Sequence, residues 1–211
     1  MKLNPRSLIT YARTRLWEQV QWPDPDVIYR RDGMFGLAQL LHSTCDGVLT
    51  KEVLIRWGAD IHPDCWPIGP NITVHEYRDS FANLSVGAHV HIGREVFLDL
   101  TDKLIIEESV GVAMRAVLLT HINMGHDYPN KPLARLFPRR SKPTILRKGC
   151  SIGAGAIVAC GVEVGENAVV NAGVFVDRDV PPRTVINSSR QKPDFRIPDR
   201  FFDKAASPPK K

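Results

Sequence analysis

The sequence predicts an all-β solenoid, a parallel β-helix with an N-terminal capping segment and a protruding loop. Three observations carry this. Read from Leu146, the chain runs LRKGCS, IGAGAI, VACGVE, VGENAV, VNAGVF and then Val176, so Leu146, Ile152, Val158, Val164, Val170 and Val176 recur every six residues. Small or aliphatic residues stand four places after the first five of these, at Cys150, Ala156, Val162, Ala168 and Val174. Weaker copies lie upstream, as Ile68 and Val74, then Val86, Ile92 and Leu98, then Ile106, Val112 and Leu118. Finally, the period breaks between Leu119 and Leu146 in a segment that carries Pro129, Pro132, Pro138 and Pro143. A six-residue period is neither the 3.6 of a helix nor the simple alternation of a strand. It suits a coil with flat faces, each a short strand that turns one aliphatic residue inward, and stacked coils then bury a continuous aliphatic column.

Taken in chain order, residues 1–54 lack the repeat and form the expected cap region. Met34 to His42 (MFGLAQLLH) fits an amphipathic helix, with Gly47 as its stop. A solenoid end exposes strand edges and apolar core, so a cover is expected there. Residues 55–186 form the expected repeat region. Glycine follows the aliphatic residue at Ile68, Val86, Ile92, Ile152 and Val164, where a positive φ would allow a tight corner. The insert, 120–145, lies outside the solenoid because proline cannot donate to a ladder. A long loop on a regular scaffold is a place to look for function. Residues 187–211 are a polar, proline-rich tail, expected to order only against a neighbour.

Composition narrows the function classes. The chain has 28 basic and 23 acidic residues, a mild excess that suits an anionic ligand. The densest basic run, Arg135 to Lys142, is short and has no interleaved aromatic stripe, which argues against nucleic acid. Four cysteines without a CxxC pair suit reduced thiols in a cytoplasm. The first residues lack a continuous apolar stretch, so no secretory signal is expected, and no segment approaches the ~20 apolar residues of a membrane helix.

The segment IGAGAIVACGVEVGENAVVNAGVFVDRDVPP resembles the C-terminal coils of hexapeptide-repeat acyltransferases, including maltose and galactoside O-acetyltransferases and polysaccharide-modifying acetyltransferases. VFLDLTDKLIIEESVGVAMRAVLLTH resembles their middle coils, and the likeness spans about residues 55 to 190. The resemblance implies a left-handed β-helix, a homotrimer, and acetyl-CoA as acyl donor in a groove between neighbouring solenoids. It also implies a catalytic histidine on a protruding loop. The acceptor it suggests is a hydroxyl of a sugar or glycan.

Direct transfer from a thioester to an alcohol needs a group that takes the hydroxyl proton. A neutral imidazole, with a reference pKa near ~6.5, is suited to this. No metal is required. His126, in MGHDYP, is the first candidate, and His121, in LLTHIN, is the second, with the alternative task of orienting the loop. The plain alternative is that both are ordinary loop histidines. Asp99, in VFLDL, falls where the resembling enzymes contact the acceptor; equally, it suits a corner residue that bonds its own backbone. By resemblance, Ala154 and Ala172 match positions along the pantetheine arm, and Arg178, Arg190 and Lys192 are candidates to meet its phosphates. All five also fit plain coil geometry or solvated surface charge.

Other functions remain open. The acceptor could be the amino group of an amino sugar. A γ-type carbonic anhydrase-like metalloenzyme would draw on His121 and His126 with His89 and His91. A non-enzymatic binding solenoid would leave the histidines without a task.

Overall fold

In the computed structural model, described over residues 22–125, 130–131 and 137–187, the hexads do become coils. Three five-stranded sheets, parallel throughout, run the length of the solenoid. The first contains β1 (Asp60–Ile61), β3 (Leu84–Val86), β6 (Leu104–Ile106), β11 (Thr144–Leu146) and β14 (Glu163–Val164). The second contains β2 (Thr73–His75), β5 (Phe97–Asp99), β8 (Val117–Leu118), β13 (Ile157–Val158) and β16 (Phe175–Val176). The third contains β4 (His91–Ile92), β7 (Gly111–Val112), β12 (Ser151–Ile152), β15 (Val169–Val170) and β17 (Val185–Ile186). Each turn of the chain visits the first, third and second sheets in that order, and short strands suffice because each pairs with the coil on either side.

The register stacks like on like. Val86, Ile106, Leu146 and Val164 pair in sequence along the first sheet, Ile92, Val112, Ile152 and Val170 along the third, and Leu98, Leu118, Val158 and Val176 along the second. All are buried, and so are Cys150, Ala156, Val162, Ala168 and Val174. Burial of each branched side chain contributes about 1.5–3 kcal/mol.

The glycines work differently from the sequence-based expectation. Of those that follow an aliphatic residue, Gly69 has positive φ, whereas Gly87, Gly93, Gly153 and Gly165 do not. These four are small because the next coil lies against them: a Cβ on Gly153 would stand 2.4 Å from the Ala172 nitrogen. The left-handed corner residue comes two places later, as at Gly149, Gly155, Gly161 and Gly173.

The N-terminal end is covered by helices. α1 (Pro25–Ser43) is one helical run kinked at Gly33, where φ is 62° and ψ −151°. It buries Leu37, Leu40 and Leu41. α2 (Gly47–Arg56) buries Val53 and Leu54. The expected stop at Gly47 is instead a start. Asp46 caps α2 by accepting from the Val48 and Leu49 amides, while α1 has already ended at Thr44 in extended conformation. Among the described residues no helix is long and apolar enough to cross a membrane.

Candidate active site

The site forms where the six-residue step fails. The core residues Leu98 and Ile106 are eight apart, so the corner between β5 and β6 carries two extra residues. One coil later, after Leu118, the insert leaves the solenoid. A two-stranded antiparallel ribbon, β9 (His121–Ile122) and β10 (Arg140–Ser141), closes its base. The long corner and the ribbon meet at Asp99 and His121.

Asp99 is fully buried, and its carboxylate has no vacant face. Oδ2 accepts from the amide of Thr120 at 2.7 Å, from the amide of His121 at 2.8 Å, and from the His121 ring Nδ1 at 2.6 Å. Oδ1 accepts from the Thr101 amide at 3.1 Å and the Thr101 hydroxyl at 2.8 Å. Burial pushes the Asp99 carboxyl up, but the hydrogen bonds from Thr120, Thr101 and His121 outweigh it and hold it below the usual range. An ionised carboxylate only accepts, so His121 Nδ1 carries its proton. The Thr101 hydroxyl, 2.8 Å from Nδ1, presents a lone pair to the same N–H. In the neutral ring this leaves the lone pair on Nε2, the tautomer a general base needs.

The surroundings hold this pair rigidly. The Thr120 hydroxyl donates to the Asp99 carbonyl at 3.0 Å, and the Thr144 hydroxyl donates to the Leu119 carbonyl at 2.6 Å. Cys160 Sγ donates to the Thr120 carbonyl at 3.2 Å. The His121 side chain is 13% exposed, enough to present one edge.

On the open side lie His75 and Glu76, at the end of β2. The His75 ring stands 6.0 Å from the His121 ring, nearly parallel to it, and 5.5 Å from the Phe97 ring. Glu76 Oε1 is 3.7 Å from His75 Nε2, and Glu76 Oε2 is 3.6 Å from an Arg139 nitrogen. A polar cleft of about 390 Å³, lined by Arg78, Ser80, Asn83, Thr101, Asp102 and Ser141, borders the Thr101 side of the dyad. A larger groove of about 730 Å³ lies elsewhere, over the first sheet. Its charged lining is Glu107, Glu163, Glu166 and Asp179 with Arg147 and Lys148. His121 lines neither; Thr101, which meets its Nδ1, lines the smaller cleft.

Several expected site residues fall elsewhere. His126, Arg190 and Lys192 lie outside the described residues. Asp99 cannot meet an acceptor directly, because its oxygens are consumed by Thr101, Thr120 and His121; the corner-residue alternative describes its Oδ1 bond to the Thr101 amide. His91 sits on the third sheet and the exposed His89 on the corner before it, whereas His121 leaves the second, so these histidines do not meet within one chain. Ala154 and Ala172 are exposed on one corner in successive coils, where the Gly173 amide donates to the Ala154 carbonyl at 2.9 Å. On that corner the two preceding coils carry Arg94 and Met114 instead. Arg178 is exposed just beyond β16. Thr101, Thr120, His75 and Glu76 were missed by sequence reasoning. The eight-residue step from Leu98 to Ile106 is the signal that could have found the first.

Comparisons with known proteins agree with this architecture. A family model described as the hexapeptide repeat of succinyl-transferase matches residues 143–178. No curated protein sequence matches the chain. Among solved structures, a hexapeptide-repeat acetyltransferase from Vibrio cholerae complexed with acetyl coenzyme A is similar, at 19% identity and TM-score 0.58, over 79% of this chain and 86% of that one. A maltose O-acetyltransferase from Clostridium difficile is similar at 22% identity and TM-score 0.55, over 77% and 83%. A galactoside acetyltransferase in complex with coenzyme A is similar at 16% identity and TM-score 0.58, over 78% and 79%. The fold is the left-handed parallel β-helix of these hexapeptide-repeat proteins.

Proposed function

We propose that this chain, a hexapeptide-repeat solenoid with the fold of the left-handed β-helix acetyltransferases, moves an acetyl group from acetyl-CoA to a hydroxyl of a sugar or glycan. The observation that carries the reading is the Asp99–His121 pair, in which a buried carboxylate fixes the ring so that Nε2 faces outward as a base. The acceptor oxygen attacks the thioester carbonyl carbon while its proton passes to His121 Nε2. The tetrahedral intermediate then collapses, the carbon–sulfur bond breaks, and the proton goes on to the departing sulfur. Asp99 stabilises the transient imidazolium without touching substrate. His121 therefore takes the role for which His126 was the first candidate.

The polar cleft beside Thr101 supports a polyhydroxylated acceptor, since Arg78, Ser80, Asn83, Asp102 and Ser141 offer both donors and acceptors. Ala154 and Ala172 suit a pantetheine arm laid along an open corner, and Arg178 suits a phosphate. A homotrimer is favoured by the outer face of the second sheet. There Phe97, Val117, Ile157 and Phe175 pair in sequence into an apolar stripe that begins beside His75. The cofactor groove would then lie between two solenoids. A cytoplasmic setting suits the four cysteines, all free.

The test is a transfer assay with acetyl-CoA and a panel of glycan and amino-sugar acceptors. His121→Ala should lower turnover by roughly 10²–10⁴-fold while acetyl-CoA affinity holds, because general-base catalysis contributes about that much. If His126→Ala loses turnover and His121→Ala keeps it, the base is misassigned. If acetyl-CoA neither binds nor reacts, the transferase reading fails.

A further inference from the structure

We propose that His75, Glu76 and His121 form a binding site for a divalent transition metal of the zinc type, which takes the same His121 nitrogen that serves as base and so switches the site off. The three side chains each offer a ligand atom within 4.8 Å of the other two. His75 and Glu76 come from the end of β2, which the stacking register fixes against β5, and His121 from the start of β9, at the base of the insert.

Three features point to an ion between them. The first is spacing. His75 Nε2 and Glu76 Oε1 are 3.7 Å apart, beyond the ~3.2 Å reach of an N–H···O bond. Zinc holds imidazole nitrogen and carboxylate oxygen at about 2.0–2.1 Å, which sets tetrahedral ligands roughly 3.4 Å apart, so a few tenths of an ångström of side-chain movement closes the pair on an ion. Arg139 lies against Oε2 of Glu76 and leaves Oε1 facing His75.

The second feature is orientation. Metal-binding histidines characteristically donate their other ring N–H to a carboxylate, which fixes the tautomer and raises ligand basicity. His121 does this with Asp99 at 2.6 Å, and Asp99 is buried and held ionised by four further hydrogen bonds. The arrangement that prepares Nε2 to accept a proton prepares it equally to bind a metal.

The third is the backbone of Glu76. At most corners a left-handed residue stands three places after the core aliphatic, as His89 does after Val86 and Ser109 after Ile106. Glu76 has φ 54° two places after Val74. The corner pattern does not require that conformation, and it brings the Glu76 carboxylate beside the two rings. Two imidazoles and one carboxylate favour zinc over magnesium or calcium, which prefer all-oxygen shells. Three protein ligands also leave a fourth position open to water or to an acceptor hydroxyl.

Metal binding itself is independent of the acetyltransferase reading; only its inhibitory consequence rests on that reading. The full chain, stripped with a chelator, is titrated with zinc chloride and in parallel with magnesium chloride by calorimetry. One zinc per chain and no magnesium response are expected. His75→Ala and Glu76→Gln change exposed side chains, and each should weaken zinc at least tenfold with an unchanged thermal melt. Absence of zinc binding, or equal affinity in both variants and the wild type, overturns the site. In the transfer assay zinc should suppress turnover, a chelator should restore it, and Glu76→Gln should raise the half-inhibitory zinc concentration at least tenfold. Zinc that binds through these residues without slowing an active enzyme overturns the shared nitrogen. Zinc that binds to a chain inactive with every acceptor leaves the metal site standing and removes the transferase.

Discussion

The turn before the insert is two residues longer than the turns after it, and the difference falls at the Asp99–His121 pair. From Leu146 onward, strands pair with residues 18 positions away: Leu146 with Val164, Ile152 with Val170 and Val158 with Val176. In the turn from Val86 to Leu118 the offset is 20, as in Val86 with Ile106, Ile92 with Val112 and Leu98 with Leu118. The surplus is spent at one corner, after Leu98, and there Asp99 and Thr101 turn back to hold His121. A regular coil has no slack with which to bury a carboxylate and surround it with five donors. The regular half supplies the rigid wall, and the irregular corner holds the Asp99–His121 pair.

This contrast predicts that the halves fail differently. The largest effect should come from a charge in the regular core. Val158→Asp puts an unpaired carboxylate where Leu118 and Val176 flank it on neighbouring coils. Such burial costs several kcal/mol, comparable to the net stability of a domain, about 5–15 kcal/mol. The variant should be insoluble or should melt without a cooperative transition. A soluble Val158→Asp with wild-type melting would remove Val158 from the core and with it the register of the whole second sheet.

The irregular corner should lose activity before it loses fold. Asp99→Asn keeps shape but replaces an all-acceptor carboxylate with a group that also donates, so it no longer enforces a proton on His121 Nδ1. Turnover should fall by about 10²-fold or more, toward the loss caused by removing the base, with acetyl-CoA binding kept. Acid stability gives a second readout. The folded carboxyl of Asp99 is held below its ordinary value, near ~3.9 in an unfolded chain. Its contribution is therefore present above about pH 4 and is lost as pH falls through the lowered folded value. Wild-type melting temperature should drop across that acid window, and Asp99→Asn should drop less. An equal drop in both would mean that other carboxylates dominate acid unfolding.

The same contrast explains what was legible in the sequence. A column of aliphatics every six residues has one physical solution, so Leu146 to Val176 could be read directly, and the weaker sets from Ile68 to Leu118 followed by analogy. Asp99 and His121 were both visible as candidates, yet their partnership was not. They are 22 residues apart and meet only because β5 and β8 stack, and the two extra corner residues redirect Asp99 inward. The resemblance suggested an acceptor contact for Asp99 and could not show that burial would turn its carboxylate onto Thr101, Thr120 and His121. His75 was invisible because nothing in a single sequence says that the end of β2 lies beside the exit of the insert. The start of α2 was misread because glycine commonly ends helices, while the Asp46 cap immediately before Gly47 signals a beginning.

The smallest effect separates two kinds of glycine that the sequence cannot tell apart. Gly153 and Gly155 are two residues apart on one corner of the regular half. A Cβ on Gly153 would meet the Ala172 nitrogen at 2.4 Å, the Asn171 carbonyl carbon at 2.6 Å and the Ala172 Cα at 2.8 Å, all main-chain atoms of the next coil. Gly153→Ala therefore has to push adjacent coils apart, and overpacking of this kind costs about 1–3 kcal/mol. For a domain of this size that lowers the melting temperature by roughly 2–12 °C. Gly155 has φ +66° and nothing within 4 Å of a Cβ, so only the left-handed backbone opposes a side chain, at roughly 1–2 kcal/mol for an ordinary residue. The preceding coils already accept that cost at the same corner, with Glu95 at φ 58° and Arg115 at φ 60°. Gly155→Asn, which tolerates the left-handed region best, should consequently melt within a few degrees of wild type, while Gly153→Asn should melt lower than Gly153→Ala. If Gly155→Asn were the more damaging, the corner would be limited by backbone conformation rather than by the distance between coils, and the stacking explanation for glycine after the core aliphatic would be wrong.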